Sequence, residues 1–371
     1  MKIEFFKHNI SENDINRVND VLHSIFLTNA NVTREFESKL SEYLGVKHCI
    51  AVNSCTAALH LSLLALDIGL GDEVITTPFS FVATANSILH AGAIPVFVDV
   101  ELETGNIDIS KIEEKITPKT KAIMPVHLYG HMVDMEGLKK IADTHKLQLI
   151  EDGAHCIEGL RDGIKPGNLS DTACFSFYAT KNITSGEGGA IVCNDNGIAE
   201  KLYRLRSHGI NRDAGSRYTT TYKHYDMECL GWKYNPTDIQ SALLLGQLEH
   251  IEALLLKREQ LAKYYESELD KLGIKHHKVL PNNKSARHLF TILVENRDEI
   301  LWQLQEKGIG VAVNYRPIHL HSFYKNTFGY KAGDFPNSEY LGERTLSLPL
   351  YPLLREEEAE YVIETLGKMF W

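Results

Sequence analysis

No segment of this 371-residue chain approaches the roughly 18 consecutive apolar residues that a membrane-spanning helix needs, so no span is expected. Runs of Lys or Arg are equally missing, and a formal charge of −10 with a pI near 5.9 argues against a general nucleic-acid surface. The six cysteines, Cys49, Cys55, Cys156, Cys174, Cys193 and Cys229, contain no Cys-x-x-Cys spacing and lie mostly in apolar strand-like settings. They read as free thiols of a reducing, cytoplasmic compartment. The opening Met1 to His8 carries acid at Glu4 and no long apolar stretch, unlike a secretory leader. The pairs His127/His131 and His319/His321 lack the carboxylates or the helical His-Glu-x-x-His setting of zinc enzymes, so no metal is expected. No Gly-x-Gly-x-x-Gly follows the first strand-like run and no Gly-x-Ser-x-Gly occurs, which argues against a Rossmann dehydrogenase and a serine hydrolase.

What is present is a 43% apolar chain, too long for one core and therefore expected to form two domains. After a helical N-terminal segment, apolar runs alternate with amphipathic ones, the pattern of a mainly parallel sheet between helices. Strands are predicted over 48–53, 73–77, 94–100, 122–127, 147–151, 173–177 and 190–194, with helices over 56–67, 83–90 and 135–146. One helical pattern runs from Pro236 to about Leu272. Beyond it, a strand over 288–294, a helix over 298–307, a strand over 310–314 and a closing helix over 356–370 suggest a smaller C-terminal α/β domain. The division expected is 1–30 for the N-terminal segment, 31–248 for the large domain and 249–371 for the small one.

Chemistry is concentrated in three blocks. Lys181 lies in Ser176 to Gly189, after an apolar strand and before Gly186, Gly188 and Gly189, which permit positive φ or close backbone approach. A surface lysine is the ordinary alternative, but burial would lower the amine's pKa and make it a usable nucleophile. Twenty-nine residues upstream, a strand ends in Glu151-Asp152-Gly153-Ala154-His155. Asp152 could cap a loop, or could keep a pyridine nitrogen protonated; His155 could be a packed core residue or a contact to the same ring. Asn53 to Ala58 turns a strand straight into a helix whose free amides suit a phosphate, with Ser54, Cys55 and Thr56 at the turn, although Ser and Thr are also routine caps. Ser176 could add a hydroxyl, and Phe81 could stack on a flat ring or pack in the core. A reactive amine, a buried acid and a phosphate site together suggest pyridoxal 5'-phosphate.

Several blocks in order make the resemblance specific: Asn53 to Ala58, Gly71 to Pro78, Pro125 to Gly130, Glu151 to His155, Ser176 to Gly189, Gly231 to Asn235, Thr237 to Gln240 and Ser347 to Pro352. Over nearly its full length the chain resembles the DegT/DnrJ/EryC1/StrS sugar aminotransferases, pyridoxal-phosphate enzymes of the aspartate-aminotransferase fold type I. The resemblance implies an α/β fold with a seven-stranded, mainly parallel sheet. It implies that Lys181 forms the Schiff base with the coenzyme and Asp152 pairs with its ring nitrogen. It sets Thr56, Ser176 and amides near Cys55 around the phosphate, and Phe81 against the ring. Cys55 stands where the family usually has Gly, which crowds the backbone approach. It further implies a homodimer in which Asn235 reaches the neighbour's phosphate, and a substrate-side loop containing Tyr315 and His319.

The activity implied is transfer of an amino group from L-glutamate, through pyridoxamine phosphate, to a nucleotide-linked keto-deoxysugar. A 4-keto-6-deoxy sugar for lipopolysaccharide or other surface polysaccharide is expected, with a 3-keto sugar as the alternative. Two further alternatives are a sugar dehydratase, whose relatives carry histidine where this chain has Lys181, and a non-catalytic regulatory relative.

Overall fold

The computed structural model describes residues 1–210 and 224–370. Seven strands form the central sheet: β1 (His48–Val52), β2 (Glu73–Thr76), β3 (Ile94–Phe97), β4 (Thr120–Ile123), β5 (Gln148–Asp152), β7 (Thr172–Ser176) and β8 (Gly189–Cys193). A two-residue strand, β6 (Leu160–Arg161), lies between them in sequence and pairs elsewhere with Asn283–Lys284. The sheet order is β1-β8-β7-β5-β4-β2-β3. Only β8 runs against the other six. Helical crossovers restore direction between parallel strands, whereas the twelve residues between Ser176 and Gly189 contain no helix, so the chain returns antiparallel.

Alternate residues on each strand serve the two faces. Ile50, Val52, Cys174, Ile191 and Cys193 pack under the helices Cys55–Ala65 and Asn196–Leu205, whereas Cys49, Ala51, Ala173, Phe175, Ala190 and Val192 pack against Phe36, Leu40 and Leu244 on the opposite side. Four of the six cysteines, Cys49, Cys156, Cys174 and Cys193, are buried free thiols.

The seven expected strands and three expected helices of the large domain all form, with ends displaced by one to a few residues. The long helical pattern after Pro236 is two helices, Asp238–Glu249 and Ile251–Leu272, separated at His250. A capping box, Thr237 with Gln240, starts the first of them. The expected strand over 310–314 reduces to one bridge, Ala312 to Ser347, on the outer edge of Thr345–Leu348, whose inner edge pairs with Phe290–Leu293. That partner strand and the helix Pro336–Arg344 before it had no sequence prediction.

The smaller domain joins the sheet Lys275–His276, Phe290–Leu293 and Thr345–Leu348 to the helices Ile251–Leu272, Arg297–Glu306 and Glu356–Phe370. Its core also takes in Ile3, which bridges Ile309, so the first residues belong to this end of the molecule. The helix Glu12–Leu22 packs instead on Asp238–Glu249. Ile251 lies in the large core and Leu261 to Leu269 in the small one, so a single helix spans both. Among the described residues no helix is long and apolar enough to cross a membrane.

Candidate active site

Glu151 and Asp152 are adjacent on β5 and therefore face opposite sides of the sheet. Glu151 is fully bonded: Oε2 meets His127 Nε2 at 2.6 Å, and Oε1 accepts from Gly167 N at 2.8 Å and Ser170 Oγ at 2.5 Å. Val133 N donates to His127 Nδ1 at 3.2 Å, so the imidazole proton lies on Nε2, toward the carboxylate. This pair fixes the strand end. Asp152 is 4% exposed and, among the described residues, accepts only from neutral donors, Thr84 Oγ1 at 2.8 Å and Ala154 N at 3.2 Å. Burial raises its pKa, opposed by those two hydrogen bonds and by the Lys181 charge. A buried carboxylate without a bonded cation is suited to receive one.

Lys181 lies on the β7–β8 connection. Its amide donates to Tyr178 O at 2.9 Å; Gln247 pins the following turn, accepting from Thr184 N at 3.0 Å and donating to Thr184 O at 2.8 Å. Gly186 has φ +80°, where a side chain would be strained, and a Cβ on Gly189 would lie 2.5 Å from the Ser54 carbonyl carbon. Gly189 pairs with both Val52 and Ser176, so its bareness lets the lysine loop close directly onto the turn at the start of the helix Cys55–Ala65. The Lys181 side chain is partly open to the pocket, yet burial depresses its amine from 10.5 to about 8, with Cys55 and Asp152 pulling the other way.

At that helix start Ser54 caps through Ala57 N, which donates to its Oγ at 3.1 Å. The preceding first-turn amides of Cys55 and Thr56 are those a helix leaves without an internal acceptor, and they suit an anion. Cys55 fits here in spite of its side chain; its half-buried thiol is pushed up in pKa by burial and then by Asp152. Ser176 ends β7 half-buried, its Oγ accepting from Tyr178 N at 3.4 Å.

Over this floor stand four rings. His155 accepts from Tyr129 N at Nδ1, 3.2 Å, so its proton lies on Nε2 and is donated to the Tyr315 hydroxyl at 3.0 Å. Its centroid is 4.4 Å from that of His288, and Tyr315 in turn lies 6.0 Å from Phe81. Phe81 is 58% exposed, which opens a flat apolar face at the mouth and sets aside the core-packing alternative. Burial, and then the Lys181 charge, hold both His155 and His288 well below the ordinary imidazole pKa.

Lys181, Asp152, His155, Cys55, Phe81 and Tyr315 thus join one pocket, linked by hydrogen bonds, ring contacts or mutual charge. His319 is a correction. It is 0% exposed, bonded through Nε2 to Glu339 at 2.9 Å and packed 4.8 Å from Phe335, so its ring is closed off from the pocket in this structure. Within the single chain the Asn235 side-chain amide donates to Pro236 O at 3.1 Å and Thr28 Oγ1 at 3.4 Å. Sequence reasoning missed three contributors. Thr84 lay in a block whose aromatic drew attention, Asn182 directly follows the lysine, and His288 is 107 residues away with no local motif. Only the fold brings the last of these in.

The donor set fits pyridoxal phosphate: a depressed amine for the aldehyde, a carboxylate lacking a cation for the ring nitrogen, and free helix amides for the phosphate. Comparison with known proteins agrees. Residues 8–367 match the model of the DegT/DnrJ/EryC1/StrS aminotransferase family. An uncharacterized protein of Methanocaldococcus jannaschii is 45% identical over 98% of this chain and 96% of its own length. The spore coat polysaccharide biosynthesis protein SpsC of Bacillus subtilis is 39% identical over 96% and 94%, and the GDP-perosamine synthase of Caulobacter vibrioides 38% over 90% and 89%. Among solved structures, the putative sugar aminotransferase Spr1654 of Streptococcus pneumoniae in its PMP-form superposes with a TM-score of 0.94 at 32% identity, covering 100% of both chains. PseC of Helicobacter pylori, an aminotransferase of pseudoaminic acid biosynthesis, gives 0.93 at 32% over 100% and 99%. The chain belongs to the DegT/DnrJ/EryC1/StrS aminotransferase family and has the type I fold of pyridoxal-phosphate-dependent aminotransferases.

Proposed function

We propose that this protein transfers an amino group from L-glutamate to the keto carbon of a nucleotide-linked deoxysugar, a 4-keto-6-deoxy sugar in surface-polysaccharide synthesis. The observation that carries the reading is the Lys181 amine, depressed to about 8 by burial, in one pocket with the unpaired Asp152 carboxylate. Similarity to a GDP-perosamine synthase supports the nucleotide-linked sugar, and similarity to a spore coat polysaccharide protein supports the destination.

Bound pyridoxal phosphate supplies an aldehyde for amines and an electron sink for the carbon that loses a proton. Lys181 would be the residue that holds the coenzyme and, as a free amine, would take up and return a proton at its Nζ; an amine near pKa 8 exchanges protons readily near neutral pH. Asp152, oriented by Thr84 and Ala154, would hold the proton at the ring nitrogen. The first-turn amides of the helix Cys55–Ala65, with Ser54, Thr56 and Ser176, bind the phosphate. Phe81 and His155 would hold the ring, and Tyr315, bonded to His155, would face the substrate. Asn235 is assigned to the neighbour's phosphate in a homodimer, with its side-chain N–H, held at 3.4 Å from Thr28 Oγ1 within one chain, as the donor.

The experiment supplies pyridoxal phosphate, glutamate and a panel of UDP-, dTDP- and GDP-linked 4-keto and 3-keto sugars, with products read by mass spectrometry. An amino sugar from a 4-keto substrate supports the proposal, and one from a 3-keto substrate moves the keto position. A visible coenzyme band that glutamate leaves unchanged, with no amino sugar from any substrate, refutes aminotransfer.

A further inference from the structure

His288 is 7% exposed and stands directly beside the lysine, its Nε2 3.4 Å from Lys181 Nζ. Its other nitrogen, Nδ1, is 3.1 Å from Asn182 Oδ1. The orientation of Asn182 is settled by its own bonds: Nδ2 donates to Glu158 Oε2 at 2.7 Å and to Ala286 O at 2.8 Å, which leaves Oδ1 as an acceptor. Nδ1 of His288 therefore carries the proton, and Nε2 presents a lone pair to the lysine. The chain of contacts ends in a buried ion pair, Glu158 Oε1 with Arg258 Nη2 at 2.5 Å, from the helix that spans both domains. Arg287, bonded to Glu259 at 2.6 Å and Glu266 at 2.8 Å, ties the residue before His288 to the same helix.

We propose that His288 is a positioning residue for the Lys181 amine, its tautomer locked by Asn182, Glu158 and Arg258 so that Nε2 always accepts an N–H from the lysine. A neutral amine has two N–H donors and one lone pair. With one N–H committed to His288, the lone pair cannot face the imidazole lone pair and is turned away from it, into the pocket. The imidazole is a poor base here, since burial first, and then the Lys181 charge, lower its pKa well below the ordinary value. The groups facing the amine are Asp152, Cys55, His155 and His288; those facing His288 are Lys181, Asn182, His155 and Arg258, with the Tyr315 hydroxyl on the far side of His155. The inference rests on the proposed role of Lys181, deepening it by naming what aims the freed amine.

The test uses the full chain without coenzyme. Acylation of Lys181, resolved by mass spectrometry from about pH 6 to about pH 10, gives the titration midpoint of its amine. An acceptor aimed at an N–H stabilises the ammonium, so His288→Phe is expected to lower the midpoint by roughly half a unit or more, while His288→Gln, whose amide oxygen accepts, restores it. Asn182→Leu leaves the imidazole in place but frees its tautomer, and is expected to lower the midpoint in the same direction. An unchanged or raised midpoint in a folded His288→Phe protein overturns the proposal. Should that variant not fold, Asn182→Leu decides alone, a lowered midpoint supporting the proposal and an unchanged one overturning it. Adding pyridoxal phosphate and borohydride to the parent protein tests the underlying reading separately. No coenzyme fixed at Lys181 would remove the enzyme role, and the His288 coupling would still be decided by the acylation data.

Discussion

The two walls of the Lys181 pocket are held by different bonds. On the sheet side, main chain does the fixing: Asp152 N donates to Pro125 O at 2.9 Å, Asp152 O accepts from His127 N at 3.0 Å, and Gly189 lets the lysine loop close onto the turn at Ser54. The facing wall depends on side chains that bond one another, His155 to Tyr315 and His288 to Asn182, drawn from segments more than a hundred residues apart. Main-chain ties survive substitution of the side chain they carry, whereas side-chain ties do not. The sheet wall is therefore expected to hold the reacting groups in place through mutation, and the facing wall to be where orientation is tuned or lost.

The largest expected effect breaks the sheet wall's chemistry without its architecture. Lys181→Ala is expected to lower amino transfer by about 10³-fold or more, measured as glutamate-driven loss of the coenzyme band. The coenzyme-free fold should gain from losing this residue. Because the folded amine titrates near 8 and the free one at 10.5, the buried cation costs stability below about pH 8, and that cost vanishes as the pH rises through 10.5. Lys181→Met should accordingly melt above the parent at pH 7, with the difference closing in strong base; a gap that widened with pH would contradict the burial argument.

Asp152→Asn is next, with a loss of about 10- to 10³-fold, the range that one to three pKa units of ring-nitrogen basicity represent. A near-parent rate would separate Asp152 from the ring nitrogen. His319 sharpens the comparison from outside the pocket. His319→Ala is expected to cost about 2 kcal/mol of stability in denaturant unfolding, from the cavity and the lost bond to Glu339, with KM for the sugar unchanged. A raised KM in a protein of parent stability would return His319 to the substrate loop. Tyr315→Phe removes one hydroxyl from the facing wall and should slow turnover by only about threefold to tenfold.

How much of this was legible in the sequence follows the same division. The sheet strands, the glycines after Lys181 and the acid at the end of β5 are local patterns, carried by alternation and by turn chemistry within a few residues, and they form where expected. Tyr315 and His319 look alike in sequence, four residues apart on one loop, and yet one reaches His155 and the other is sealed by Phe335 and Glu339. Nothing in the loop distinguishes them, because the helix Pro336–Arg344 that carries Glu339 was itself not predicted. His288 was missed for a related reason. Its significance lies in which nitrogen is protonated, and that is set by Asn182 and Glu158 from the other domain. Conversely, Glu151 and Asp152 are neighbours of equal chemical promise, and only the complete bonding of Glu151 by His127, Gly167 and Ser170 marks it as structural.

The central claim is that one amine, Lys181, holds the coenzyme. Borohydride reduction of the protein mixed with pyridoxal phosphate, followed by peptide mass spectrometry, tests it most directly. The account predicts the reduced coenzyme on Lys181 and its disappearance from that peptide in Lys181→Ala. Stoichiometric labelling of a different lysine, with Lys181 unmodified, would contradict it.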